Sequence, residues 1–161
     1  MKKILILTTG GTIDKVYFDA KSKYEVGPPN IQIVLGELNL AIDYTVHSLL
    51  KKDSLEITDQ DREIILQAVA DAEEECILIT HGTDTMVQTA KFLSKIAGKT
   101  IVLTGALTPA LFKTTDALFN IGCALGAVQT LISGVYIAMN GAIFPYDKVR
   151  KNLEKNRFEE I

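Results

Sequence analysis

The sequence predicts an α/β fold: a mainly parallel sheet flanked by helices in three layers. Two observations carry this prediction. Apolar runs alternate with helical patterns along the chain, the signature of βαβ units. Two of those runs, Ile4–Leu7 and Ile77–Ile79, also end in similar polar turns, Thr8-Thr9-Gly10-Gly11-Thr12 and Thr80-His81-Gly82-Thr83-Asp84-Thr85. Open α/β sheets bind ligands outside the carboxyl ends of their strands, so the paired turns mark one site there. A length of 161 residues and a hydrophobic content of 47% suit one domain over 1–161 with a sizeable core.

The elements follow in order. Ile4 to Thr8 reads as the first strand. Residues 13–30 lack clear periodicity and close in Gly27-Pro28-Pro29-Asn30, the profile of a long loop of the kind that serves as a lid. Ile31 to Leu38 reads as a helix and Asp43 to Leu49 as the second strand. Thr58 with Asp61 three residues on is a capping signature, and Ile64, Ile65, Ala68, Val69 and Ala72 form the stripe of the helix it opens. Cys76 to Thr80 is the third strand. Met86, Ala90, Leu93 and Ala97 stripe the next helix, closed by Gly98. Thr100 to Thr104 is the fourth strand, and residues 105–109 form a turn. Asp116 to Ile132 is helical, with Gly122 and Gly126 expected to allow close packing on the sheet. Gly134 to Met139 is the fifth strand, followed by a loop with Pro145 and a charged tail from Asp147 to Ile161.

Composition narrows the function. Seventeen basic and twenty acidic side chains leave a net charge of −3, with a pI near 5.4 and no basic cluster. That balance argues against nucleic acid and against an anionic membrane surface as partners. Cys76 and Cys123 sit in apolar surroundings and read as buried, reduced thiols. With only His47 and His81 present, a His/Cys zinc site is not expected. The apolar run at the N-terminus is shorter than a signal-peptide core, and no segment reaches transmembrane length. The expectation is a soluble cytoplasmic protein.

The turns suggest the chemistry. Gly10 and Gly11 let the backbone approach a ligand and aim N–H groups at negative charge, and Thr12 adds a hydroxyl. Neither the dinucleotide nor the P-loop glycine pattern occurs, so a nucleotide reading is weak. A hydroxyl becomes a nucleophile only when a neighbour takes its proton. His81 and a desolvated lysine are both candidates for that base, and spacing alone leaves the choice open. Taken singly, Thr12, Thr83 and Asp84 would read as cap or turn residues. Lys151, among Lys148, Arg150 and Lys155, would read as part of a solvated face.

Thr9-Gly10-Gly11-Thr12-Ile13 and His81-Gly82-Thr83-Asp84-Thr85-Met86 resemble the two signature motifs of bacterial-type L-asparaginases. Fainter likenesses are Asp53-Ser54, Gly105-Ala106 with Pro109, Asp116 with Phe119-Asn120, Met139-Asn140 and Lys151, so the similarity spans essentially the whole chain. The resemblance implies a Rossmann-like or flavodoxin-like N-terminal-domain fold and hydrolysis of a side-chain amide through an acyl-enzyme. It makes Thr12 the nucleophile and Tyr24, on the lid, the residue orienting its hydroxyl. Thr83, Asp84 and Lys151 would form a second catalytic cluster. Asp84 would also grip the substrate amino group and Ser54 its carboxylate, with backbone N–H groups near Gly11 and Thr83 stabilising the oxyanion. The implied substrate is L-asparagine or a similar small amide, with no metal or organic cofactor.

The sequence also departs from the family pattern. Asp14 stands where a small residue is usual, placing a charge two positions from Thr12, and Leu55 follows Ser54 where a polar residue is common. Classical members carry a second, C-terminal domain, and this chain resembles the N-terminal catalytic domain alone. A homo-oligomer is expected, because another protomer would cover the open site. Three other readings remain: glutamine preference, a non-catalytic amino-acid-binding module, and a component of an amidotransferase acting on aminoacyl-tRNA.

Overall fold

A computed structural model describes residues 2–161. Its strands are β1 (Ile4–Gly10), β2 (Lys15–Phe18), β3 (Lys23–Val26), β4 (Tyr44–Lys52), β5 (Cys76–Thr80), β6 (Thr100–Thr104), β7 (Gly134–Met139), β8 (Ala142–Pro145), β9 (Val149–Asn152) and β10 (Arg157–Glu160). Its α-helices are α1 (Asn30–Gly36), α2 (Asp59–Asp71), α3 (Met86–Leu93) and α4 (Ala117–Thr130). The central sheet has six strands in the order β4-β1-β5-β6-β7-β8, all parallel except β8 against β7. The mainly parallel, helix-flanked fold expected from the sequence is thus the one observed.

Strand alternation sorts the apolar residues onto two faces. Leu5, Leu7, Ile77, Ile79, Ile101 and Leu103 pack with Ile65 and Val69 of α2 and Met86, Ala90 and Leu93 of α3. Ile4, Ile6, Leu78 and Val102 pack with Ile31 and Leu35 of α1 and Ile121, Ala124 and Val128 of α4. Because both faces are covered, β1, β5 and β6 are buried along their whole lengths and read as continuous apolar runs. The parallel register sets Thr8, Thr80 and Thr104 side by side. That row levels the carboxyl ends of three strands beneath the two polar turns.

Several boundaries and faces differ from the sequence expectation. Residues 13–30 are not a bare loop: β2 and β3 pair as an antiparallel hairpin, with Tyr17 opposite Tyr24. Both strands are short and largely exposed, so neither carries a buried period to read. The tail is likewise structured. β8 adds to the sheet, and β9 pairs with β10, anchored in the core by Val149 and Phe158. Charges dominate that stretch because only one residue of each of these strands is buried. In α2 the capping box forms as expected, Thr58 Oγ1 accepting from the Asp61 N–H at 3.2 Å and Asp61 Oδ2 accepting from the Thr58 N–H at 2.8 Å. The buried face of that helix holds Arg62, Ile65 and Val69, and Ile64 points outward. α3 ends at Leu93 rather than running to Gly98. Gly122 and Gly126 face open space, so the close packing expected of them does not occur, and Ala124 and Ile121 meet the sheet instead. Cys76 is buried, whereas Cys123 is only partly so.

Candidate active site

The two signature turns, Ser54 and Lys151 converge at the carboxyl edge. β1 ends at Gly10 and Gly11 follows it, both at positive φ (99° and 88°), a region open to glycine and strained for other residues. The Gly11 N–H donates to the Lys52 carbonyl at 2.9 Å, tying the first turn to the end of β4. A Cβ on Gly11 would lie 2.5 Å from the Cα and N of Gly82, so the two signature turns touch backbone to backbone. A Cβ on Gly82 would in turn strike the Ser54 side chain. Thr9 Oγ1 adds a buried hydrogen bond to the Thr80 carbonyl at 2.9 Å.

Thr83, Asp84 and Lys151 come together. Lys151 Nζ donates to Thr83 Oγ1 at 2.7 Å and to Asp84 Oδ1 at 2.6 Å. Its side chain is 12% exposed, against 39% for Asp84, so the pair sits at the wall of an open site rather than on a solvated face. Because Thr83 Oγ1 accepts from Lys151, its own proton remains available to a neighbour. The lysine is delivered by the β9–β10 hairpin. Phe158, opposite Lys151 in the register, is buried, and its N–H donates to Asn140 Oδ1 at 2.7 Å. Cross-strand contacts stiffen the same hairpin: bonds from Asn152 and Arg150 hold the Glu159 carboxyl down to about 2.

Ser54 is 1% exposed. Its Oγ accepts the Asp84 N–H at 3.2 Å, and its carbonyl accepts from Thr85 Oγ1 at 2.7 Å, so it ties the segment after β4 to the Thr83–Thr85 turn with its own O–H proton still to give. Leu55 beside it is 74% exposed, an apolar side chain at the edge of the site. Thr12 is partly buried at the start of a short 3-10 turn over Thr12–Asp14. Tyr24 lies on β3 with its ring edge-on to Tyr17 and Phe112 at 5.4 and 5.6 Å, and no hydrogen bond among the described residues joins it to Thr12. The hairpin is fastened below. Lys15 Nζ pairs with Asp53 Oδ2 at 2.8 Å, and a cleft of about 380 Å³ lined in part by Lys15, Tyr24 and Asp53 opens between hairpin and sheet.

Asp14 is buried at the foot of the hairpin, where its Oδ1 accepts the Asn30 N–H at 2.8 Å and its carbonyl accepts the Gly27 N–H at 2.8 Å. Burial pushes its carboxyl up to about 6, only partly offset by the Asn30 bond. His81 has no exposed surface. Its Nδ1 meets the Gly82 carbonyl at 2.7 Å and its Nε2 meets Thr89 Oγ1 at 2.8 Å. Both ring nitrogens are engaged, and burial, opposed by the Gly82 bond and aided by the Arg62 charge, holds the ring down to about 4. His81 therefore has no free nitrogen to serve Thr12, which removes it from the two candidate bases. Sequence reasoning missed Thr89 and Arg62 behind this turn. Thr89 lies eight residues past His81, a spacing with no local signature, and Arg62 reaches it only through the packing of α2 on α3.

Fold and edge together define an open, mainly parallel α/β protein with a hydroxyl-rich site above the strand ends. The family model described as asparaginase, N-terminal, matches residues 3–158, and the chain belongs to that family. It is 32% identical to an L-asparaginase of Thermococcus kodakarensis over 99% of this chain and 51% of the relative. It is 31% identical to one component of the glutamyl-tRNA(Gln) amidotransferase of Methanococcus maripaludis over 88% of this chain and 35% of that one. Among solved structures, the thermostable L-asparaginase from T. kodakarensis superimposes with a TM-score of 0.86 at 30% identity, covering 99% of this chain and 51% of that one. A probable cytoplasmic L-asparaginase from Campylobacter jejuni gives a TM-score of 0.85 at 27% identity, covering 99% and 53%. The chain thus spans about half the length of the L-asparaginase relatives named here. Among the described residues, no helix is long and apolar enough to cross a membrane.

Proposed function

We propose that this chain is an amidohydrolase that converts L-asparagine to aspartate and ammonia through a threonine ester. The observation that carries this reading is the Lys151–Thr83–Asp84 cluster standing against the turn that bears Thr12, with Gly11 and Gly82 in backbone contact. Thr12 Oγ attacks the carboxamide carbon, and backbone N–H groups near Gly11 and Thr83 receive the developing oxyanion, each donor worth about 3 kcal/mol in comparable sites. The collapsing intermediate expels the amide nitrogen, which leaves as ammonia once it has gained a proton. Water then enters, adds to the ester carbon and releases aspartate, returning the proton to Thr12. Lys151 and Asp84 act on these transfers through Thr83. Asp84 also receives the substrate α-amino group, Ser54 donates its hydroxyl proton to the α-carboxylate, and Tyr24 turns inward from the hairpin to orient Thr12. Neither step calls for a metal or an organic cofactor.

Ammonia release from purified chain tests the reading, with L-asparagine and L-glutamine as substrates. Thr12→Ala is expected to abolish turnover, and Lys151→Met to lower kcat about 10²–10⁴-fold, the range of general acid–base contributions. Turnover that survives Thr12→Ala sinks the nucleophile assignment. No turnover in the wild-type chain, with aspartate still bound, marks a binding module. The similarity to an amidotransferase component supports a second reading, action on an aminoacyl-tRNA. Salt-resistant binding of tRNA would favour it, against the acidic balance of the chain. The same proposal includes a cytoplasmic, single-domain chain working as a homo-oligomer, a second protomer covering the site.

A further inference from the structure

We propose that Arg62, Thr89 and His81 form a buried positioning relay that fixes the Gly82 carbonyl and thereby holds Thr83 in reach of Lys151. The relay rests on the hydrolase reading only for its effect on turnover; its hydrogen bonds stand independently.

Donor and acceptor counting sets the direction of every bond. Arginine has donors only. Arg62 Nε therefore donates to Thr89 Oγ1, at 3.1 Å. The Gly82 carbonyl can only accept, so the one proton of the neutral His81 ring sits on Nδ1 and goes to it, at 2.7 Å. His81 Nε2 is then an acceptor and takes the Thr89 hydroxyl proton, at 2.8 Å. One tautomer of His81 satisfies the chain, and it is the neutral Nδ1–H form.

Burial shows why these residues are unusual in place. Arg62 is 8% exposed and Thr89 and His81 have no exposed surface. A buried guanidinium is costly to desolvate. Its ionic partner among the described residues, Asp59 at 2.9 Å, is 86% exposed, and such a pair contributes little. The ion pair does not explain the arginine, whereas the bond aimed inward at Thr89 does. The backbone on the other side of the turn is also clamped: the His81 N–H donates to the Thr104 carbonyl at 2.9 Å, and Gly82 abuts Ser54. The side-chain relay fixes the one peptide group between these clamps and Thr83. Buried side chains of α2 and α3 thus set the geometry of the turn from behind it.

Nitrogen-15 NMR of histidine-labelled wild-type chain, without substrate, reads the relay directly. The expected spectrum shows His81 as the Nδ1–H tautomer with Nε2 hydrogen-bonded, unchanged from pH 5.5 to 8. An Nε2–H tautomer, or titration within that range, overturns the relay whatever the chain catalyses. Thr89→Val should move the Nε2 resonance towards that of an unbonded nitrogen and lower kcat about 10–100-fold with KM within twofold, the pattern of misplacement rather than lost binding. Thr89→Ser should restore both. An active wild type whose kcat survives Thr89→Val overturns the positioning role. An inactive wild type with the expected spectrum overturns the hydrolase reading and leaves the hydrogen-bonded relay standing.

Discussion

Asp14 carries a buried carboxylate two residues from Thr12, and its effect depends on pH. Its folded value of about 6 lies above the ordinary 3.8. The native state therefore holds more protons than the unfolded chain between those values, and stability falls as pH rises through about 4 to 6 and is level above. At neutral pH the ionised group costs up to about 3 kcal/mol, the two-unit shift converted. Asp14→Asn keeps an oxygen for the Asn30 N–H and removes the charge. It is expected to raise Tm at pH 7.5, leave it nearly unchanged at pH 4, and flatten the slope between, as read by thermal melts across pH. A variant that melts like the wild type at every pH would show that the carboxyl does not titrate there. At this scale the sequence was informative about identity and silent about state. Asp14 stood out as a charge two positions from Thr12, but only its burial makes it a weak acid. His81 stood out as a base, and only its two bonded nitrogens remove it from that role.

Between residue and molecule, the β9–β10 hairpin is the element on which the site depends most. Lys151 reaches Thr83 and Asp84 because Phe158 and Val149 root the hairpin in the core and Asn140 holds the Phe158 N–H. Phe158→Ala is expected to cost about 3 kcal/mol, as buried aromatic truncations do, and to lower kcat while speeding amide exchange in residues 149–160. Hydrogen-exchange mass spectrometry distinguishes this from global loss; uniform exchange with unchanged turnover would show that Lys151 does not depend on its anchor. Strands with both faces buried were readable, β1, β5 and β6 as apolar runs, and α2 was readable from its capping box. The two hairpins were not. Each strand of β2–β3 and β9–β10 buries at most one side chain, so composition reports the wet face and hides the pairing.

For the molecule as a whole, the site lies on an open edge flanked by exposed Tyr17, Tyr24, Leu55, Phe112 and Leu153. A second protomer over this edge is the homo-oligomer proposed above. Sedimentation velocity should then show a concentration-dependent association, with specific activity rising as the oligomer forms. A monomer at every concentration with constant specific activity would sink that part of the proposal.

Sequence alone determined the layered parallel sheet, the edge where the site lies, and the residue types gathered there. Those follow from local signals: burial of strands on two faces leaves long apolar runs, and tight backbone turns demand glycine. The tertiary structure decided how the gathered groups act. It brought Lys151 to Thr83 from far along the chain, consumed both nitrogens of His81, buried Asp14 and linked Arg62 to the His81–Gly82 turn through Thr89. Each of these depends on distance and solvent exclusion between segments remote in sequence, and no local pattern encodes either.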